Sequence, residues 1–134
     1  MQFLINIDVD DLDRAIDFYR DAFNLHVGRR FGTDGVEMLG GNAPVYLLVK
    51  EPGTRVAEPL AQKRRYERHW TPLHLDMVVD DVEAAVERAV AAGATLESEI
   101  RVNKWGAIAG LSDPFGHGFC LLEFRGRGYD ELCL

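Results

Sequence analysis

Ile5–Phe23 reads INIDVDDLDRAIDFYRDAF, and at an offset of 70 residues Leu75–Ala92 reads LDMVVDDVEAAVERAVAA. Both stretches open on alternation: Ile5, Ile7 and Val9 around Asn6 and Asp8, then Leu75, Met77 and Val79 around Asp76 and Val78. A period of two is a strand with one buried face. A pair of aspartates follows in each, Asp10-Asp11 and Asp80-Asp81, placed so that an N-cap carboxylate accepts free backbone N–H groups. Beyond the caps, Leu12, Ala15, Ile16, Tyr19, Ala22 and Phe23 form an i, i+3, i+4, i+7 stripe, and Val82, Ala85, Val86, Ala89 and Val90 form its counterpart. Asn24 and Gly93 stand where a left-handed residue ends a helix. Caps and periods are independent signals, so their joint recurrence marks an internal repeat of strand and helix.

Working outward, short strands follow each helix. They are predicted at 25–31, 34–40 and 44–50 in the first copy, and at 95–101, 105–112 and 118–125 in the second. Gly32-Thr33-Asp34-Gly35, Gly40-Gly41-Asn42-Ala43-Pro44 and Asp113-Pro114-Phe115-Gly116 supply the turns. The chain is thus read as one α+β domain over 1–134, made of two βαβββ modules at 1–50 and 73–125. A linker at 51–72 joins them, with a short helix expected over 57–67, and a tail at 126–134 carries no clear periodicity. Phe18 lies off the stripe and is expected to pack against a neighbouring module or subunit.

The length and the 47% hydrophobic content suit one folded domain. No run of about 18 apolar residues is present, so no membrane span is expected. The N-terminal stretch lacks the basic and then apolar regions of a signal peptide. With Cys120 and Cys133 read as free thiols, a cytoplasmic location is the expectation. A net charge of −7 argues against partners that need a basic surface, whether nucleic acid or anionic lipid. The basic run Lys63-Arg64-Arg65, with Arg68, reads as a solvated helix face or linker. Nucleophile elbow, phosphate loop, paired-cysteine zinc motif and dinucleotide fingerprint are all absent.

Three sets of residues, in this order and spacing, resemble the vicinal oxygen chelate superfamily, which comprises glyoxalases, bleomycin-resistance proteins and extradiol dioxygenases. The first is Asp11-Leu12-Asp13-Arg14-Ala15-Ile16-Asp17-Phe18-Tyr19. The second is His74-Leu75-Asp76 with Asp80-Asp81-Val82-Glu83-Ala84-Ala85-Val86. The third is Ala92-Gly93-Ala94 with Asp113-Pro114-Phe115-Gly116-His117. The likeness covers nearly the whole chain outside the linker and tail. It implies that each module curls its strands into a half-barrel, that the cavity lies on the sheet face opposite the helices, and that the protein is a homodimer.

On that face the first strand carries Leu4, Asn6 and Asp8, and its counterpart carries His74, Asp76 and Val78. Polar groups aimed into a concave sheet are costly unless they meet water or a ligand. Metal-using members of the superfamily hold a divalent ion with four side chains, which correspond here to Leu4, Tyr46, His74 and Cys120. Leucine cannot ligate and tyrosine is a poor donor for the usual divalent ions. Asp76 offers a carboxylate two residues along from His74, while Glu123 is expected to face the helices. No cofactor is therefore expected, with a divalent metal as the alternative.

Ligand contacts are expected from Leu4, Asn6, Tyr46, Leu48, His74, Asp76, Trp105, Cys120 and Leu122. His74 is read either as a histidine satisfied by neighbours or as a ligand contact or general acid–base, since imidazole titrates near neutrality. Cys120 is read as a small buried filler ahead of a nucleophile. Trp105 is read equally as cavity wall and as core. His69 and Trp70 end the linker and are read as a candidate lid or partner contact; His117 is expected to be exposed, and His26 has no assigned role. The function expected is binding of a small organic molecule, aromatic in one version, in a metal-free cavity. The alternatives are a metal-dependent lyase, isomerase or dioxygenase on the same scaffold, and an accessory protein with a vestigial cavity.

Overall fold

Asp11 and Asp81 start the two helices as their spacing requires. Each sits in extended backbone, and its carboxylate accepts a hydrogen bond from the N–H three residues on, that of Arg14 and of Ala84. In the computed structural model, which describes residues 1–133, α1 spans Leu12–Phe23 and α2 spans Val82–Ala92. Asn24 ends α1 in the left-handed conformation, with φ 55°. Gly93 ends α2 at φ 123°, where an L side chain would be strained.

The chain divides after Glu67 into two compact units. In the first, β1 (Ile5–Val9), β2 (His26–Phe31), β3 (Gly35–Leu39) and β4 (Val45–Val49) form a sheet in the order β1-β4-β3-β2. β1 runs parallel to β4, and the other pairs are antiparallel. In the second, β5 (Leu75–Val78), β6 (Thr95–Leu96), β7 (Arg101–Asn103), β8 (Gly106–Ser112) and β9 (Gly118–Phe124) repeat the plan. β5 is parallel to β9, β8 is antiparallel to β9, and β6 and β7 both pair with β8. The architecture is the predicted α+β arrangement of two βαβββ modules.

Within the first unit α1 lies on β2, β3 and β4, and Val9, Ala15, Ile16, Tyr19, Val36, Met38 and Leu47 are buried there. Within the second, α2 lies on β6, β8 and β9 and buries Val82, Ala85, Val86, Ala89, Ala109, Leu111 and Leu121. Burial of side chains of this size is the main favourable term in folding. Asp113 Oδ1 closes the β8–β9 turn by accepting from the N–H groups of Phe115 and His117, at 2.8 and 2.9 Å. Glu123 faces the helices as expected, and its carboxylate accepts the N–H of Val82 at the start of α2 at 3.2 Å.

Several expectations are corrected. Phe18 does not reach for another module or subunit: it is 1% exposed, edge-on to Tyr19 and Phe23 inside the first unit. Ala15 and Ala22 lie three and four residues away on the same helix face, so Phe18 widens the stripe instead of leaving it. Val90, by contrast, is exposed at the margin of α2. The strand predicted over 95–101 is two short strands. Glu97 and Ser98 both donate backbone N–H groups to the Gly110 carbonyl, and Ser98 Oγ accepts the Gly110 N–H, so the ladder bulges between β6 and β7.

The expected helix over 57–67 does not form. Gly53 and Thr54 pair with Arg64 through backbone hydrogen bonds, Arg55 bridges Lys63, and the intervening chain, with Pro59 unable to donate, turns back on itself. Nor is the basic run merely solvated. Arg64 Nε donates to Asp8 Oδ2 at 2.8 Å, and its Nη1 donates to the Arg55 carbonyl and to Thr54 Oγ1. Tyr66 donates to the Lys50 carbonyl, and burial, then the nearby Asp8 carboxylate, push its phenol up to about 12. Arg68 pairs with Glu97. The tail forms a 3-10 helix, Gly128–Leu132, tied by Glu131 to Lys104 and Arg127. No described helix is long and apolar enough to cross a membrane.

Candidate functional site

Because Leu47, Val36 and Met38 turn toward α1, the alternate residues of the first sheet occupy its helix-distal face. Asn6, Tyr46 and Glu37 form one rung there, and Asp8 and Leu48 pair on the next. In the second sheet the equivalent rung is Asp76, Cys120 and Gly110. The repeat therefore carries different chemistry at matching places: carboxamide, phenol and carboxylate in one module, carboxylate and thiol in the other.

In the second unit, His74 immediately precedes β5 and Asp76 lies within it. His74 Nε2 stands 3.4 Å from Asp76 Oδ1. Cys120 is opposite Asp76 on β9, and one donor atom from each of His74, Asp76 and Cys120 lies within 4.8 Å of the others. Burial, then the charge and hydrogen bond of Asp76, push the Cys120 thiol above its ordinary range. A thiol held neutral in this way is a weak nucleophile. His74 and Cys120 line an open cleft of about 230 Å³, together with Arg68, Trp70, Thr71 and Glu97. Arg68 holds Glu97 through Nε at 2.6 Å and Nη2 at 2.9 Å, which keeps that carboxyl below its usual range. Gly118 makes room for the guanidinium, since a Cβ there would meet Arg68 Nη2 at 2.7 Å.

An imidazole, a carboxylate and a thiol make a mixed N, O and S donor set of the kind that suits zinc and neighbouring transition metals, with positions left open for water or substrate. As a metal-free group, the same residues offer an imidazole–carboxylate pair able to orient and exchange a proton with a bound molecule.

In the first unit Leu4 precedes β1 and is 53% exposed, Asn6 is exposed, and Leu48 is half-buried. Tyr46 is committed to a network that residue-by-residue reading missed. Its hydroxyl donates to Glu37 Oε2 at 2.9 Å, and Arg29 Nη2 donates to the same oxygen at 2.6 Å. Glu37 is 5% exposed, and the Arg29 guanidinium and backbone N–H, with Tyr46, hold its carboxyl down at about 2. The available signal was Glu37 standing between Val36 and Met38 on a strand with Gly28 opposite its neighbourhood: a Cβ on Gly28 would meet Glu37 Oε1 at 2.6 Å.

Trp105 is half-buried against Tyr129, centroids 5.3 Å apart, and Tyr129 meets Phe124 edge-on. It stands beside the Gly106–Phe124 rung, while Cys120 lies four residues back along β9. Leu122 is almost fully buried. His117 is not exposed as expected: it is half-buried, with Nδ1 3.1 Å from His69 Nε2. His69 in turn is held by its N–H to the Gly116 carbonyl. Trp70 is exposed beside the cleft, and His26 is exposed at the start of β2.

Known proteins are similar to this chain. An uncharacterised protein of Mycobacterium bovis is 32% identical over 129 residues, covering 92% of this chain and 84% of its own. The anthracycline biosynthesis protein DauV of Streptomyces sp. (strain C5) is 32% identical over 126 residues, 90% of this chain, which spans 40% of DauV's length. A glyoxalase/bleomycin resistance protein/dioxygenase family enzyme from Burkholderia phytofirmans shares the fold, with a TM-score of 0.71 at 18% identity, over 91% of this chain and 97% of its own. The family model described as a glyoxalase-like domain matches residues 4–122, from the residue before β1 into the last strand, and the chain belongs to that family.

Proposed function

We propose that this glyoxalase-like chain binds a small organic molecule, aromatic in character, on its helix-distal sheet faces, without a metal held in the superfamily's four-ligand arrangement. The observation that carries this reading is the state of two of the four metal corners. Leu4 has no donor atom, and the Tyr46 hydroxyl is already given to Glu37. In the second unit His74, Asp76 and Cys120, and in the first, separately, Asn6 and Leu48, supply the polar groups and apolar surface on which small-molecule sites are built. The likeness to DauV, named for anthracycline biosynthesis, supports a flat polycyclic class of ligand. His74 is the residue assigned to a polar contact or proton transfer with the ligand. The active form proposed is a homodimer, in which a second copy completes the binding face; sedimentation showing only monomer at micromolar concentration would count against it.

A second reading rests on the His74, Asp76 and Cys120 cluster, whose donor set fits a transition metal with open coordination positions. In that reading the chain is a lyase, isomerase or dioxygenase, and the metal would polarise a substrate oxygen. One experiment separates the two: titration of wild type, His74→Ala and Tyr46→Ala with zinc, manganese and nickel ions and with a panel of aromatic compounds. Aromatic binding weakened by His74→Ala, with no stoichiometric metal, supports the first reading. Tight stoichiometric metal binding abolished by His74→Ala establishes the second.

A further inference from the structure

The Arg29 side chain is 70% exposed, yet its base is fixed. Nε donates to both oxygens of Glu37 at 3.2 Å, Nη2 donates to Oε2 at 2.6 Å and to Tyr46 Oη at 3.3 Å, and the Arg29 backbone N–H donates to Oε1 at 3.2 Å. Among the described residues Nη1 makes no hydrogen bond, so both its N–H groups are unspent. An exposed arginine ordinarily samples many rotamers, and that freedom is lost on binding. Here a nearly buried carboxylate, reached only because Gly28 leaves room, has fixed it in advance. Beside it the Phe31 and Tyr46 rings lie 6.0 Å apart, tilted by 33°, with Phe31 43% exposed.

The N–H groups that remain on Nη1 of a pre-oriented guanidinium can donate a charge-assisted hydrogen bond to a carboxylate, and adjoining rings recognise a flat apolar body. We propose that Arg29 is a ligand-binding residue of the first module, taking the carboxylate of an aromatic acid whose ring system lies against Phe31 and Tyr46. This inference rests on the small-molecule reading above and narrows it to anionic aromatic ligands. Glu37 is then a positioning residue, which holds the guanidinium without touching the ligand.

The test is calorimetric titration with naphthoate and with the uncharged naphthamide. Wild type is expected to bind the acid at least about tenfold more tightly than the amide, a difference of about 1.4 kcal/mol. The double variant Arg29→Gln/Glu37→Gln removes both charges of the pair together and is expected to bind the two equally. Arg29→Lys keeps the charge but cannot be gripped by Glu37 and still present a second nitrogen to the ligand, is the milder change for folding, and is expected to lose most of the preference. Equal binding of acid and amide by wild type, or a preference unchanged in the variants, overturns this inference and leaves the small-molecule reading standing. Failure of wild type to bind either compound, while other aromatic compounds bind, overturns it in the same way; failure to bind any aromatic compound overturns both.

Discussion

Asp76 stands between two neighbours: His74 Nε2 is 3.4 Å from its Oδ1, and Cys120 is opposite it on the adjoining strand, with a donor atom of each within 4.8 Å of the others. Its negative charge works with burial to keep that thiol protonated. Replacing Asp76 with Asn removes the charge and keeps the shape, so the thiolate fraction at mildly alkaline pH should rise. In a Cys133→Ser background, which leaves Cys120 as the one thiol, Asp76→Asn should speed alkylation by iodoacetamide severalfold at pH 8. Its rate–pH profile should move toward lower pH. Identical profiles with and without the carboxylate would mean that burial alone governs Cys120.

Ile16 and Val86 occupy equivalent places on α1 and α2 and are 6% and 8% exposed. Ile16→Asp and Val86→Asp each force an unpaired carboxylate against a sheet. Each should cost several kcal/mol or prevent soluble expression. Denaturant melts showing either variant within about 0.5 kcal/mol of wild type, the range of a surface change, would contradict the packing of that helix.

The repeat was legible because each helix announces itself twice, by an aspartate that caps it and by a stripe that buries it. Strand parity likewise places His74 and Asp76 on one face, while Cys120 is reached through the resemblance to the superfamily's metal-holding positions. What escaped was set by contacts distant in sequence. The Arg29–Glu37–Tyr46 network joins three strands through side chains 8, 9 and 17 residues apart, and no local period encodes it. The Ser98 bulge depends on Gly110 across the sheet. The segment over 57–67 has helix-forming residues, but Arg64 gains more by reaching Asp8, 56 residues away, than a short isolated helix gains from its own hydrogen bonds.

Glu37 also sets an acid limit. Its folded carboxyl is held at about 2, against an ordinary value of 4.5. A depressed carboxyl contributes stability in full above the ordinary value, and that contribution disappears as pH falls from about 4.5 toward about 2. Glu37→Gln cannot ionise. The stability difference between wild type and Glu37→Gln should therefore be constant above pH 5 or so and shrink steadily below it. Thermal melts of both proteins from pH 7 downward give that difference directly and cancel the other carboxylates. A difference that does not change with pH would mean that Arg29 does not hold the Glu37 charge in solution.

Arg64 is the clasp of the segment that follows the first sheet. Its side chain is 16% exposed and that of Asp8 34%, so the pair is neither a free surface pair nor fully desolvated. Exposed pairs contribute about 0–1 kcal/mol, and hydrogen bonds to charged groups about 1.5–3; with Asp8 a third exposed, a coupling of about 1 kcal/mol is expected. A double-mutant cycle of Arg64→Gln, Asp8→Asn and the pair isolates it. Arg64→Gln loses in addition the geometry of the bonds to the Arg55 carbonyl and Thr54 Oγ1, so it should destabilise more than Asp8→Asn does. The consequence should be local. Amide exchange over 53–67 should quicken in Arg64→Gln, while the strands β3 and β4 keep their protection, because nothing in their ladder depends on Arg64. Exchange unchanged over 53–67, with a coupling near zero, would show that the segment is held by its backbone pairing and by Tyr66 on the Lys50 carbonyl.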